Sequence, residues 1–324
     1  MTRETPIGLG AGLAAAALML APLGGSVMGV VLMIFAALPI TLVTLGWGYR
    51  AGLVAAVSAM VLLAVVLDIS DGLSFGVTIA LPAWGLAYLA IADRRTADEG
   101  RGRIPLGTLV VVAAVLSAAI VLIAAISFST SYADIVSRLE QTLTESAHVL
   151  FGIPKEHPLV IPDVEDATAF LRLLSYVALP LSAISATIGS LCGLWLSARI
   201  ARISGRLPRP WPDVAALRLP WWALALLAGG GIVSMLPDIY GLAGQLLLAA
   251  MIGAFSVQGF AVVHFVTRGR ATRPMLLAIV YLLCFVMSWF AFGALAVVGV
   301  LDLIFNLRRL SGPGGWPRSP QRPK

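Results

Sequence analysis

A chain of 324 residues in which 59% are hydrophobic and 12% charged departs from the soluble domain, where roughly 25% of residues are charged, and excludes a soluble globular fold. Its charges are gathered between apolar runs of about 16 to 30 residues, the length an α-helix needs to cross roughly 30 Å of hydrocarbon, so the sequence describes an all-α, polytopic integral membrane protein. The net charge of +6 does not imply a nucleic-acid partner, because the arginines sit in short segments between apolar runs and form no stripe with interleaved aromatics.

In chain order, membrane helices are predicted at 7–23, 27–46, 52–67, 73–92, 104–128, 169–198, 221–236, 241–266, 274–289 and 293–307. That gives about ten spans. Eight or nine follow if the first pair, broken only by Pro22 and Gly24-Gly25-Ser26, or the last pair, interrupted near Ser288 to Gly293, does not cross twice. Residues 1–23 are read as a retained span, not a cleaved signal peptide, because Arg3 is offset by Glu4 and losing the segment leaves an odd number of spans.

Charge sets the orientation. If the last apolar stretch turns back as a hairpin, only Arg138, Lys155 and Arg172 fall outside, and the other nineteen of the 22 basic residues face the cytoplasm, as the positive-inside rule requires. Both termini are then cytoplasmic, in a bacterial inner membrane. The domain reading is a helical transmembrane unit over 1–311, an extracytoplasmic segment at 129–168, and a Pro- and Gly-rich cytoplasmic tail at 312–324 with nothing to bury, expected to be disordered.

The outer segment has soluble-like composition. Tyr132, Ile135, Val136, Leu139, Leu143, Ala147 and Leu150 recur at helical spacing with Asp134, Arg138, Gln141 and Glu145 on other faces, which predicts an amphipathic helix on the membrane surface. Asp163 is placed to cap the next helix, which should run past Arg199 with a kink near Pro180. Trp221 and Trp222 are read as an interfacial belt.

Little catalytic chemistry is on offer. Gly72-Leu73-Ser74-Phe75-Gly76 matches the G-x-S-x-G nucleophile elbow in letters, but that motif needs a strand, a sharp turn and a helix, and here it opens a membrane span. Lys155 lacks the glycine of a phosphate-cradling loop, so no Walker A element is present. His148, His157 and His264 form no H-E-x-x-H pair, and Cys192 and Cys284 fall inside apolar runs as packing residues. No catalytic residue, metal site or cofactor is assigned.

Polar groups inside hydrocarbon are costly, so each needs a partner or a purpose. Asp302 is the most informative, with Asn306 and Arg309 following at i+4 and i+7 as expected partners. An anchoring ion pair is the commoner explanation there, and a ligand contact the functional one. Gln258 and His264, six apart in the eighth span, need not share a partner. Hydrogen bonding between helices is weighed against ligand binding for both. Trp84 and Tyr88, at i and i+4, can stack a flat ligand or pack in the core, and Arg50 joins them as a polar candidate. In the first span Gly8, Gly12 and Ala16 form a ridge that allows close helix approach, either to an internal neighbour or to another membrane subunit.

Four stretches carry a resemblance: Leu38-Pro39-Ile40 with Gly48-Tyr49-Arg50-Ala51-Gly52; Pro82-Ala83-Trp84-Gly85-Leu86-Ala87-Tyr88-Leu89; Val257-Gln258-Gly259-Phe260-Ala261 with His264-Phe265; and Gly299-Val300-Leu301-Asp302 with Phe305-Asn306-Leu307-Arg308. On these the sequence resembles the YybS-like family of uncharacterised bacterial membrane proteins, whose amino-terminal half is similar to the substrate-binding membrane subunits of energy-coupling-factor transporters. That resemblance implies a small-solute binder working with a membrane coupling subunit in the lipid bilayer. The spans after residue 200 and the long outer segment depart from the six-helix pattern of such subunits. The expected function is therefore a transporter-like inner-membrane protein, with a membrane scaffold or assembly factor as the alternative.

Overall fold

The computed structural model describes residues 4–96, 100–154, 156–157, 159–161, 164–208 and 213–310; the tail 312–324, Lys155 and Asp163 lie outside them. The described chain is helical apart from one short ribbon. Helix α1 (Glu4–Leu20) ends where Pro22 and Gly25 interrupt it, Gly25 at a φ of 67°, and the Ser26 hydroxyl accepts from the Gly29 amide to start α2 (Val27–Met33). A turn then leads into α3 (Leu38–Trp47), and Gly48, at a φ of 100°, makes the break before α4 (Tyr49–Val66).

Asp68 caps α5 (Ile69–Phe75), accepting from the amides of Ser70 and Asp71 at 2.6 and 3.2 Å. The Ser70 hydroxyl and these two amides hold its carboxyl below the usual carboxylate range. A π-type bulge at Gly76–Ala80 passes the chain into α6 (Leu81–Ile91). The G-x-S-x-G letters thus lie within continuous helix, and an added Cβ on Gly72 or Gly76 would meet Met60 of α4. These glycines serve packing.

The all-α expectation holds, with one short ribbon in which Asp93–Thr96 (β1) pairs antiparallel with Gly100–Arg103 (β2), Asp93 opposite Arg103. Then come α7 (Leu106–Ile126), α8 (Tyr132–Phe151) and α9 (Ala167–Ile203), which runs unbroken through Pro180. Its cap is Asp166, which accepts from the Ala169 amide at 3.0 Å, in place of the expected Asp163. Helices α10 (Ala223–Val233), α11 (Asp238–Val266), α12 (Arg273–Val286), α13 (Ser288–Phe305) and α14 (Leu307–Leu310) complete the chain.

Seven of the helical segments are long and apolar enough to cross a membrane: Glu4–Gly24, Val27–Trp47, Tyr49–Val66, Ile69–Ile91, Leu106–Ile126, Ala167–Ile203 and Asp238–Val266. Ala223–Val233, Arg273–Val286 and Trp289–Phe305 are apolar but shorter, so length alone supports seven crossings where the hydropathy pattern predicts ten.

Helix α11 is the hub. It packs against α7, α9, α10 and α13, with Leu242, Leu246, Met251 and Phe255 buried. Where α11 crosses α13, an added Cβ on Gly259 would strike the Leu295 carbonyl and one on Gly299 the Phe255 carbonyl, so the backbones touch. A second core joins α1, α3, α4 and α6. There Gly8 and Gly12 face α4, and a Cβ on either would come within 2.6 Å of the Ala51 or Ala55 carbonyl. Ala16 is fully buried in the same core. The small-residue ridge is filled from within the chain, which removes it as an open docking face for another subunit.

Helix α8 has partners within the chain. It packs on α9 and α11, buries Ile135, Val136 and Ala147, and its first amide donates to Asp238 Oδ1 at 2.6 Å. Leu150, expected on the apolar face, is exposed.

Candidate functional site

The polar residues of the last spans converge. Asp302 on α13 is 1% exposed, and its partner is Arg308, whose Nε lies 3.1 Å from Asp302 Oδ2. Arg309, the expected partner, is exposed. The reason is Asn306, which ends α13 at a φ of 53°. That left-handed residue breaks the helical register, and a polar Asn tolerates the conformation better than most side chains.

Gln258 on α11 completes the cluster. Its Nε2 donates to Asp302 Oδ2 at 3.1 Å and to the Gly299 carbonyl at 3.0 Å, while its Oε1 accepts from the Leu219 amide at 2.8 Å. The Arg308 guanidinium donates to the carbonyls of Ala215 and Leu217 at 2.7 and 2.6 Å and lies over the Phe265 ring. Asn306 accepts from Arg218. Together these groups clasp the segment 215–219, between α9 and α10, onto α11 and α13. Asp302 Oδ1 has no hydrogen-bond partner among the described residues.

The clasped segment is a wall. On one side lies an apolar cavity of about 150 Å³, walled by Leu45 of α3, Ile91 of α6, Leu109 of α7 and Leu194 of α9, with Leu217 from the clasped stretch and Val214 just before it. Its lining is apolar, which suits a small apolar group. On the other side lies a groove of about 680 Å³, walled by Arg199, Asp213, His264, Arg268, Arg273 and Tyr281. Trp195 and Val214 belong to both walls.

In the groove His264 Nε2 lies 2.9 Å from the Tyr281 hydroxyl. Arg268 pairs with Asp213, whose carboxyl is held below its usual range by that guanidinium. His264 and Gln258 therefore have separate partners. Sequence reasoning assigned Arg199, Arg268 and Arg273 to topology alone, although Trp195 and Arg199, at i and i+4, share one helix face.

Trp84, Tyr88 and Arg50 meet elsewhere. Trp84 and Tyr88 stack with centroids 5.9 Å apart, Tyr49 meets Tyr88 edge-on at 5.6 Å, and Trp84 Nε1 donates to the Tyr49 carbonyl at 2.9 Å. Arg50 Nε donates to the Tyr49 hydroxyl. With its faces occupied by one another, this cluster fastens α4 to α6. Beneath α8 a third groove, about 570 Å³, is lined by Arg138, Gln141 and Glu145 among apolar neighbours. Among the described residues no group of three His, Cys, Asp or Glu could hold a metal ion.

Residues 13–303 match the model of a family described as predicted membrane protein (DUF2232). The chain belongs to that family. Searches of curated proteins and of solved structures gave no match. Membership in DUF2232, with its several apolar helices, makes this a membrane protein of an uncharacterised family. The matched region takes in both the 215–219 clasp partners Gln258 and Asp302 and the aromatic cluster.

Proposed function

We infer that this chain is a transporter-like membrane protein that binds a small solute between its helices, at the paired cavity and groove beside the 213–219 segment. The carrying observation is the adjacency of an apolar chamber and a cationic groove that share Trp195 and Val214. Pockets combining an apolar body with a few convergent polar groups are the usual form of a small-molecule site. Asp302, Gln258, Arg308 and Asn306 act in this reading as positioning residues that hold the wall, and His264 and Tyr281 line the groove itself.

The reading includes ten crossings with both termini on the cytoplasmic side. Glu4 lies close enough to Arg50 for an electrostatic contact, Arg206 sits over the Trp47 ring, and Arg308 binds the stretch following Arg206. These contacts support the reading that both termini lie on one side. Seven crossings are an odd number, so the shorter α10, α12 and α13 supply the rest. A relation to energy-coupling-factor subunits remains part of this proposal, but the partner cannot use the Gly8–Gly12 face.

Native mass spectrometry of the gently solubilised protein tests the function. A reproducible small mass bound to the native chain, and lost when Leu109→Trp fills the cavity in a protein that still elutes as a single species, is the expected result. A native chain with no bound mass from any preparation overturns it and favours the scaffold reading.

A further inference from the structure

We propose a second, separate ligand site in the groove of about 570 Å³ beneath α8, which takes a small amphiphilic monocarboxylate, its carboxylate on Arg138 and Gln141 and its apolar body on the floor below. The groove exists because α8 leans on α9 and α11 and leaves a gap toward α7. Ile120 and Ala124 of α7, Ile135 and Leu139 of α8 and Leu179 of α9 form the floor, all buried or half-buried. A cleft of this size, mostly apolar with a few polar groups at one edge, is the usual form of a small-molecule site.

The hydrogen-bonding inventory selects the ligand. Thr78 enters from the π-type bulge, and Ser182 and Thr142 lie along the walls, but each of these hydroxyls donates to a carbonyl of its own helical segment, at 2.7, 2.8 and 2.9 Å. The side-chain donors left for a guest are the Arg138 guanidinium and the Gln141 amide, three residues apart on one face of α8. Residues 129–168 hold seven carboxylates against two basic residues, yet Arg138 makes no ion pair among the described residues. Glu140 turns instead to Arg172 at 3.9 Å, and Asp134 accepts from the Ser129 hydroxyl at 3.2 Å. A solvated arginine needs no ligand, but this one stands over an apolar floor that the rest of α8 leaves uncovered.

A guanidinium beside an amide suits the planar, two-oxygen carboxylate. Glu145 lies farther along the same face and has a contact of its own, and its charge disfavours a phosphate dianion there. Arg138 and Gln141 are exposed at the rim while the floor is not, so the ligand lies with its head outward and its carbon inward, within one continuous groove. The test uses the full chain held in amphipol, with radiolabelled decanoate, decanol and decylamine as probes. The native chain should retain decanoate about tenfold better than decanol, the scale of one hydrogen bond to a charged group. Arg138→Gln should erase that preference, and Arg138→Lys should keep part of it.

Ala124→Phe fills the floor and should lose decanoate and decanol alike, and Ala124→Val takes its place if that variant fails to elute as one species. Arg172→Gln, outside the groove, and Leu109→Trp, in the other cavity, should bind as the native chain does. Equal retention of decanoate and decanol, a preference for decylamine, or selectivity that survives Arg138→Gln overturns the proposal. So does a native chain that retains none of the probes. Loss of decanoate in Leu109→Trp but not in Ala124→Phe assigns the probe to the cavity beside 213–219, which removes this site and leaves solute binding there intact.

Discussion

Arg308 and Asp302 form a buried ion pair at 3.1 Å although six residues separate them, a spacing that on a straight helix points the two side chains about 120° apart. Asn306 makes the contact by adopting a left-handed conformation that breaks the helical register after α13. A buried pair whose one member is removed leaves a stranded charge, a loss of about 3–5 kcal/mol. Asp302→Ala and Arg308→Ala should each lower abundance and melting temperature strongly. The double variant Asp302→Leu/Arg308→Met should recover much of the loss, and a double variant as unstable as the two single losses combined argues against the pairing.

Asn306 itself should accept glycine with little change. Asn306→Val places a β-branched residue at a φ of 53°, where a bulky side chain is strained by about 1–2 kcal/mol. The melting temperatures of Asn306→Gly and Asn306→Val should therefore separate clearly, with the glycine variant the higher.

At the amino-terminal core, Gly12→Leu pushes a side chain into Ser58 and the Ala55 carbonyl. Overpacking of this kind costs about 1–3 kcal/mol and often more. The variant should lose stability in its own right. A folded, monodisperse Gly12→Leu protein that melts like the native chain contradicts the packing of α1 on α4.

Asp213 gives the groove a pH dependence of known sign. Its carboxyl titrates below the ordinary value of 3.8 because Arg268 stabilises the charged form. The contribution is thus present in full above the ordinary carboxylate range and is lost as pH falls through the lowered value. The pair is partly exposed, so it amounts to less than about 1 kcal/mol. Asp213→Asn should melt slightly below the native chain at neutral pH, and the two curves should converge in acid.

Topology can be read by cysteine labelling in a background without Cys192 and Cys284. A probe at Glu156 should react with an impermeant reagent added from outside, and probes at Arg270 and Arg309 should not. Outside labelling at Arg309 defeats the even number of crossings.

Much of the architecture was legible because hydropathy and charge act on whole segments. The breaks at Pro22 and Gly25, the amphipathic pattern from Tyr132 to Ala147 and the need of Asp302 for a polar partner could all be read from neighbours in sequence. What could not be read were partners set by crossings. The four stretches that carried the family resemblance turn out to meet in pairs, Tyr49 with Trp84 and Tyr88, and Gln258 with Gly299 and Asp302. Periodicity has no term for such meetings. Arg308 was hidden for another reason: at a span end an arginine satisfies the charge rule wherever it points, so its role as the clasp of 215–217 left no separate mark.

That clasp also orders the birth of the molecule. Arg308 reaches back 93 and 91 residues to Ala215 and Leu217, across helices α10 to α13. During synthesis the stretch between α9 and α10 emerges long before the arginine that fastens it. Until Arg308 is made, Gln258 and the Arg268–Asp213 pair are polar contacts from α11 and the turn after it that can hold this stretch. Helices α10 to α13 are therefore made before this stretch can be fastened by Arg308.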